Sequence, residues 1–253
     1  MDNQDYLAPA VEAAKIAGKI ILEYYGRSAS SFMLADKGNS NSIVTKADKD
    51  AEKAIVAYLF EKVPGSSFLG EESGRTGSSE LQWIIDPIDG TTNFANKIPL
   101  FCVSIGLAKN RELIAGVVYN PVSGEMFEAS KGNGAFLGGK RIYVAPPADK
   151  KEMVVATDWA HEPEMRLHIA RNFLEKHVND YRYSPCLGTA ALSLAWVAAG
   201  RFHAYVHPSL NEWDLAAGAV LVKEAGGTLT KWDGGSWKLG DKELIASNGQ
   251  FFL

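Results

Sequence analysis

The sequence predicts an α+β protein, and three observations carry that expectation. Residues 5–25 repeat their apolar side chains at three- and four-residue intervals, the period of an amphipathic helix, and residues 46–62 read as a second helix between a capping-box start and a Pro-Gly stop. Residues 101–109, 111–120 and 124–130 are strand-like runs separated by turn signals, the pattern of an antiparallel meander. Beyond residue 148, strand-like and helix-like stretches mix, so a second half of different character closes the chain.

The totals narrow the function classes. A chain of 253 residues can bury one substantial core or two closely packed halves, and 46% hydrophobic with 22% charged residues excludes disorder and fibrous repeats. A net charge of −4, with no Lys/Arg run against it, argues against nucleic acid as the main partner. The polar start Met1-Asp2-Asn3-Gln4-Asp5 has no secretory character, and no apolar run approaches the roughly 20 residues that span a bilayer, so a cytoplasmic protein without a membrane partner is expected. Cys102 and Cys186 have no CxxC spacing, which points away from zinc and disulfides and toward two small core residues.

In the first helix Leu7, Val11, Ala14, Ile21, Leu22 and Tyr25 fall largely at three- and four-residue intervals, as expected of a helix covering a core, and Gly26 stands as its stop. Residues 27–42, rich in Ser, Gly and Asn and carrying Lys37, read as a mobile loop able to close over a ligand. Thr45 and Asp48 form a capping-box pattern that opens the second helix, which ends at Pro64-Gly65; a helix start is also where Asp48 can orient a polar group. Ser67-Phe68-Leu69 is a short strand delivering Glu71 and Glu72 to a glycine-flanked edge.

The stretch Trp83-Ile84-Ile85-Asp86-Pro87-Ile88-Asp89-Gly90-Thr91-Thr92-Asn93-Phe94 concentrates the chemistry. Trp83 to Ile85 form a buried strand, and Pro87 keeps Asp86 extended, so the strand is expected to stop at that carboxylate. Asp89 follows, and Gly90-Thr91-Thr92 offers backbone N–H groups to an anion. Carboxylates beside anion-binding amides make sense with divalent metal between them, and hard oxygen ligands favour Mg²⁺.

After the meander, Gly132, Gly134, Gly138 and Gly139 read as turn formers, and no dinucleotide or P-loop glycine pattern is present. Pro146-Pro147-Ala148-Asp149 marks a boundary between an N-terminal α+β half, 1–147, and a C-terminal α/β half, 148–253, of one compact unit. There, a strand at 153–157 precedes a helix at 162–177, and His161, His168 and His177 lack ligand spacing and are read as surface residues. Gly188-Thr189-Ala190 opens an apolar helix over 191–199 that faces two sides and must lie between layers, followed by a strand at 201–207. Asn211-Glu212-Trp213-Asp214 opens a helix closed by Gly226-Gly227, where Asp214 by itself is explained as an N-cap, and strands at 228–232 and 243–246 close the fold.

Each carboxylate taken singly has a structural explanation, but Glu71, Asp86 and Asp89 all follow strands or sit in the turn after one. Together with Val44-Thr45-Lys46-Ala47-Asp48, Gly70-Glu71-Glu72, Gly188-Thr189-Ala190 and Trp213-Asp214-Leu215-Ala216-Ala217-Gly218, the 83–94 stretch resembles, in order and spacing, the motifs of the inositol monophosphatase family. The resemblance covers residues 5–249. It implies a layered α-β-α-β-α sandwich of the inositol monophosphatase/fructose-1,6-bisphosphatase type, lithium sensitivity and a homodimer. The metal ligands it implies are Glu71, Asp86, the Ile88 carbonyl, Asp89 and Asp214, holding two or three Mg²⁺. Glu71 and Thr91 would orient or deprotonate the water, with Asp48 holding Thr91, and the amides of Gly90 and Thr91 would hold phosphate. Asp89, Ala190, His207 and Asp214 would meet the substrate, Thr157-Asp158-Trp159 would line its polyol end, and Lys37 would stand near a loosely held third metal.

The activity so implied is Mg²⁺-dependent hydrolysis of inositol 1-phosphate by in-line attack of a metal-activated water, some relatives also accepting fructose 1,6-bisphosphate. His207 stands where animal members carry an acid that contacts inositol hydroxyls. Asn211-Glu212-Trp213-Asp214 resembles the nucleotide-phosphatase branch, so the same chemistry on 3′-phosphoadenosine 5′-phosphate or on histidinol phosphate is an alternative. A non-enzymatic regulatory partner is a second alternative, which loss of a metal carboxylate would signal; none is lost. Family members commonly carry a helix after the Ala246-Ser247-Asn248 strand, and this sequence runs only to Leu253, so different dimer contacts are expected.

Overall fold

In the computed structural model, which describes residues 2–27, 33–36 and 43–251, a 3-10 turn over Asn3–Tyr6 leads into α1 (Leu7–Tyr25). Ala10, Ala13, Ala14, Ala17, Gly18 and Ile21 form its buried stripe, small enough for α1 to lie close on its neighbours. Gly26 caps it in a right-handed conformation (φ −71°), so the stop does not use the left-handed turn that glycine allows. Within the stretch expected as a loop, β1 (Met33–Asp36) pairs antiparallel with β2 (Ile43–Thr45); Lys37 and the remainder of that loop lie outside the described residues. α2 (Lys46–Lys62) follows, as its capping and stop signals predict, with Ala47, Asp48, Ala51, Glu52, Ile55 and Leu59 buried.

β3 (Ser67–Gly70), β4 (Gly74–Thr76), β5 (Leu81–Asp89), β6 (Cys102–Lys109), β7 (Glu112–Asn120), β8 (Glu125–Ser130), β9 (Gly134–Leu137) and β10 (Lys140–Ile142) form one sheet in the order β10-β9-β8-β7-β6-β5-β3-β4. Within this sheet β3 and β5 pair in parallel and the other neighbours antiparallel. The glycine cluster does more than turn the chain, since β9 and β10 extend the meander through it. Gly138 and Gly139, both at positive φ (55° and 78°), make the two-residue turn that closes this hairpin. α3 (Thr91–Ala95) links β5 to β6.

In the second half β11 (Val155–Thr157), β12 (Ala204–His207), β13 (Thr228–Thr230) and β14 (Leu244–Ser247) form a four-stranded sheet, ordered β11-β12-β14-β13. The helical segment 163–177 comprises α4 (Pro163–Ile169), a π-helical turn (Ala170–Leu174) and α5 (Glu175–His177). α6 (Ala190–Ala198) and α7 (Glu212–Glu224) complete the helices.

Three of the hydrophobic clusters stack these elements into five layers. Trp83, Ile85, Val103 and Val117 of the large sheet meet α1 and α2 on one side. On its other side Val118 and Phe127 meet Leu194 and Leu215 of α6 and α7, which also receive Tyr205 and Leu244 from the small sheet. The opposite face of that sheet, through Val155, Val206 and Ile245, packs on Ile169 and Phe173. The result is an α-β-α-β-α sandwich with α6 and α7 in the middle, which is why α6 is apolar on both sides.

Two glycines set how closely α7 approaches. Gly106 and Gly116 are cross-strand partners in β6 and β7. A Cβ on Gly106 would fall 2.6 Å from Ala216 Cβ, and one on Gly116 would fall 2.5 Å from the Ala217 carbonyl oxygen. The helix backbone therefore lies directly on the sheet, which fixes the height of Asp214 above it.

Candidate active site

A bulge in β5 builds the site. In a regular strand, residues three apart face opposite sides of the sheet. Asp86 pairs with Ser104 but Asp89 pairs with Cys102, so Pro87 and Ile88 on β5 together oppose Val103 alone on β6. The extra residue restores the face: Ile85 and Ile88 both enter the α1/α2 core. Asp86 and Asp89 accordingly both turn toward α6 and α7. This corrects the expectation that the strand stops at Asp86; it runs through Pro87 to Asp89, the proline being accommodated at the bulge.

Asp214 meets them from the other half of the chain. One carboxylate oxygen from each of Asp86, Asp89 and Asp214 lies within 4.8 Å of the others. Asp214 is not the N-cap of α7 but its third residue. Asn211 is the cap, and its amide donates to Asp214 Oδ2 at 2.7 Å in a capping box. Asp89 is held as firmly. Its Oδ2 accepts from Thr189 Oγ1 and the Ala191 amide, both at 2.6 Å, and its Oδ1 from the Ala190 amide at 3.3 Å. Asp89 therefore serves as the anion at the start of α6. Asp86 accepts the Ile88 amide at 3.0 Å across Pro87.

The electrostatics are those of a cation site. Burial, then the charges of Glu71, Asp89 and Asp214, holds the Asp86 carboxyl well above its ordinary range. Asp214 is likewise raised, by burial and then by Asp89. Burial pushes Asp89 up to about 6 against the lowering effect of its hydrogen bonds to Thr189 and Ala191. Among the described residues no lysine or arginine forms an ion pair with the trio. Three hard-oxygen donors, buried at Asp86 and Asp89 and half-buried at Asp214, without a lysine or arginine counter-charge among the described residues, fit a divalent cation, which replaces the lost solvation and removes the mutual repulsion.

Glu71, Asp86, Ile88, Asp89, Gly90, Thr91 and Asp214 share a cavity of about 100 Å³. Gly90 caps α3 at φ 93°, a left-handed conformation, with Leu100 O and Gly188 O crowding the place of a Cβ (3.0 and 3.2 Å). Thr91 Oγ1 donates to the Ile88 carbonyl at 3.0 Å and lies 3.5 Å from Oδ1 of the buried Asp48. The structure thus gathers Asp48, Glu71, Asp86, Ile88, Asp89, Gly90, Thr91 and Asp214 at one point. The side chain of Thr45 lies outside the described residues.

This cavity adjoins a second of about 270 Å³, which shares Asp89, Thr92, His161, Gly188 and Asp214 with it. Ala190, Asp158, Trp159, Arg166 and His207 line the outer space. His207 is buried, and burial, then the nearby His161, pushes its imidazole down to about 3. The Ser209 amide donates to its Nδ1 at 3.2 Å, so the neutral ring carries its proton on Nε2. Asp158 holds the loop that walls both spaces, accepting from the Gly188 amide at 2.6 Å, Tyr205 OH at 3.1 Å and the Cys186 thiol at 3.3 Å. Asn93 Nδ2 donates to Leu100 O and Leu187 O, both at 2.6 Å, from the other side.

Three site residues escaped the sequence reading. His161 lines both cavities rather than being a bystander, Arg166 borders the outer one, and Cys186 is exposed rather than core. Their local sequence carries no periodic or motif signal. Asn93 lay within the signature stretch and its partners alone were hidden.

Comparison with known proteins agrees with this fold. The model of the inositol monophosphatase family matches residues 2–252. An inositol monophosphatase of Dictyostelium discoideum is 36% identical over 252 residues, covering 96% of this chain and 90% of the relative. A solved extragenic suppressor protein suhB from Bartonella henselae superposes with a TM-score of 0.87 at 38% identity, covering 95% of this chain and 93% of that one. A solved inositol monophosphatase-fructose 1,6 bisphosphatase superposes at 0.83 with 29% identity, covering 96% and 94%.

Proposed function

We propose that this chain, which belongs to the inositol monophosphatase family and is a metal-dependent phosphoric monoester hydrolase, acts on inositol 1-phosphate with Mg²⁺ as its metal. The observation that carries this reading is the carboxylate trio, gathered within 4.8 Å beside a cavity whose wall includes Gly90 and Thr91 and which adjoins a space of polyol size.

Glu71, Asp86, the Ile88 carbonyl, Asp89 and Asp214 would hold Mg²⁺, which when bound lowers the pKa of water and neutralises phosphate charge. The amides of Gly90 and Thr91 bind phosphate oxygens at the start of α3. Glu71 and the Thr91 hydroxyl orient the attacking water, and Asp48 keeps Thr91 in place 3.5 Å away. No covalent phosphoenzyme is required, because no step needs a protein nucleophile. The neutral His207 offers an Nε2–H donor to a substrate hydroxyl where animal relatives offer an acid, and Ala190 supplies a small wall beside it.

Arg166 in the outer cavity favours tolerance of a second phosphate, so fructose 1,6-bisphosphate is the second reading. A homodimer is part of the proposal, and its test is the solution mass.

Phosphate release from inositol 1-phosphate, fructose 1,6-bisphosphate, histidinol phosphate and 3′-phosphoadenosine 5′-phosphate, each with Mg²⁺ and with EDTA, tests the substrate. EDTA-sensitive turnover of the first, or of the first two, is expected. Turnover confined to the last two overturns the substrate and keeps the chemistry, whereas silence on all four shifts weight to a regulatory role.

A further inference from the structure

We infer that Glu52, a buried carboxylate on α2 outside the metal cluster, is the positioning residue for Glu71; this rests on the reading of Glu71 as a metal-holding, water-orienting group. Glu52 is 2% exposed. Its two oxygens are divided between successive amides, Glu72 N donating to Oε2 at 3.0 Å and Ser73 N to Oε1 at 2.8 Å. A carboxylate gripping consecutive N–H groups fixes the turn that contains them.

That turn starts at Glu71, whose own amide donates to Ile85 O at 3.1 Å and so extends the β3/β5 ladder. Glu71 is thereby tied on one side to the strand that carries Asp86 and on the other, through the next two residues, to α2. Gly70 leaves the space the bridge needs, since a Cβ there would fall 2.5 Å from Glu52 Oε2 and 2.6 Å from Oε1. The helix thus presents two buried carboxylates one turn apart, Asp48 toward Thr91 and Glu52 toward the Glu71 turn, each serving one of the groups assigned to the water. A core position that served packing alone would be apolar, as Ile55 and Leu59 are on the same face.

The test is E52Q, which keeps the shape but replaces one acceptor oxygen with a donor facing an amide. In folded E52Q, kcat should fall about tenfold or more and the Mg²⁺ concentration for half-saturation, measured by calorimetry on metal-free protein, should rise about tenfold, as when a hydrogen-bonded support behind a metal ligand is lost. KM for substrate should stay within about twofold, because no substrate contact is removed. E52D, one methylene shorter, should behave like E52Q. In an E71Q background E52Q should lower kcat no further, because both act through one group.

A lower melting temperature with unchanged kcat and metal affinity would assign Glu52 to stability alone and overturn the inference. Full activity in E52D, or losses that multiply with E71Q, would also overturn it. If E71Q itself changes neither turnover nor metal affinity, the underlying reading of Glu71 fails, a result distinct from failure at Glu52. Should E52Q not fold, amide exchange in the wild-type chain decides: Glu72 and Ser73 should be strongly protected with and without metal, and rapid exchange refutes the bridge.

Discussion

The carboxylate of Asp89, at the last position of β5, accepts the amide of Ala191 in the first turn of α6 at 2.6 Å, across 102 residues of sequence. One side chain therefore closes the carboxylate cluster and meets the start of α6. The cluster and the packing of α6 against the end of β5 are mechanically the same feature.

Replacing Asp89 with Asn separates these roles. Asn keeps an acceptor oxygen for the Ala191 amide but loses the charge, so kcat should fall about 100-fold or more while the fold persists. The metal-free variant should melt at or above the parent at pH 8, because a buried, uncompensated charge has been removed. Near-normal turnover would sink the assignment of Asp89 to the metal.

Asp214 tests the coupling between metal and fold. If a cation joins α7 to β5, Mg²⁺ should raise the melting temperature of the parent in proportion to its occupancy. Asp214→Asn should need about tenfold more metal for the same protection. Undiminished protection in thermal melts would show that α7 does not share the ion.

The closeness of α7 to the sheet predicts a stability effect far from any charge. In Gly116→Ala the new methyl meets helix backbone at 2.5 Å, which cannot yield as a side-chain tip can. A loss of about 2–3 kcal/mol is expected, toward the upper end for overpacking, measured as a lower urea midpoint. An unchanged midpoint would mean that the helix can lift at no cost.

His207 gives a pH signature. Its folded pKa of about 3 lies below the ordinary value of 6.5, so between these values the unfolded chain binds the extra proton. Stability from this residue is complete above 6.5 and is lost as pH falls toward 3. Asp89 acts in the opposite sense, its raised pKa favouring the folded metal-free chain as pH falls from about 6 toward 3.8. His207→Gln should remove the first effect and leave the second, giving a metal-free protein whose urea midpoint declines less between pH 6.5 and 4.5. An equal decline in both proteins counts against a buried neutral imidazole.

Much of this was legible in the chain. The α2 boundaries, the meander strands and the two-sided burial of α6 follow from capping residues, turn residues and apolar pattern, which are local properties. The acids of the site were legible too, because Glu71, Asp86 and Asp89 cluster at strand ends and within one unusual stretch. Their common orientation was not. Asp86 and Asp89 are an odd number of residues apart, and alternation puts such residues on opposite faces; only pairing with β6 creates the bulge that reverses this.

The same division holds elsewhere. Asn211 rather than Asp214 caps α7, a choice between neighbouring polar residues that backbone geometry makes. Glu52 is set apart from the other acids of α2 only by the turn after β3, which folds against it. His161 and Arg166 entered the site because α4 and the segment before it are carried there by the small sheet. By itself the sequence determined the elements, the acidic chemistry and the family, since these depend on residue type and short spacings. Tertiary structure alone decided which carboxylates face one another, which are buried enough to need a cation, and what holds them there, because all three depend on groups brought together from distant parts of the chain.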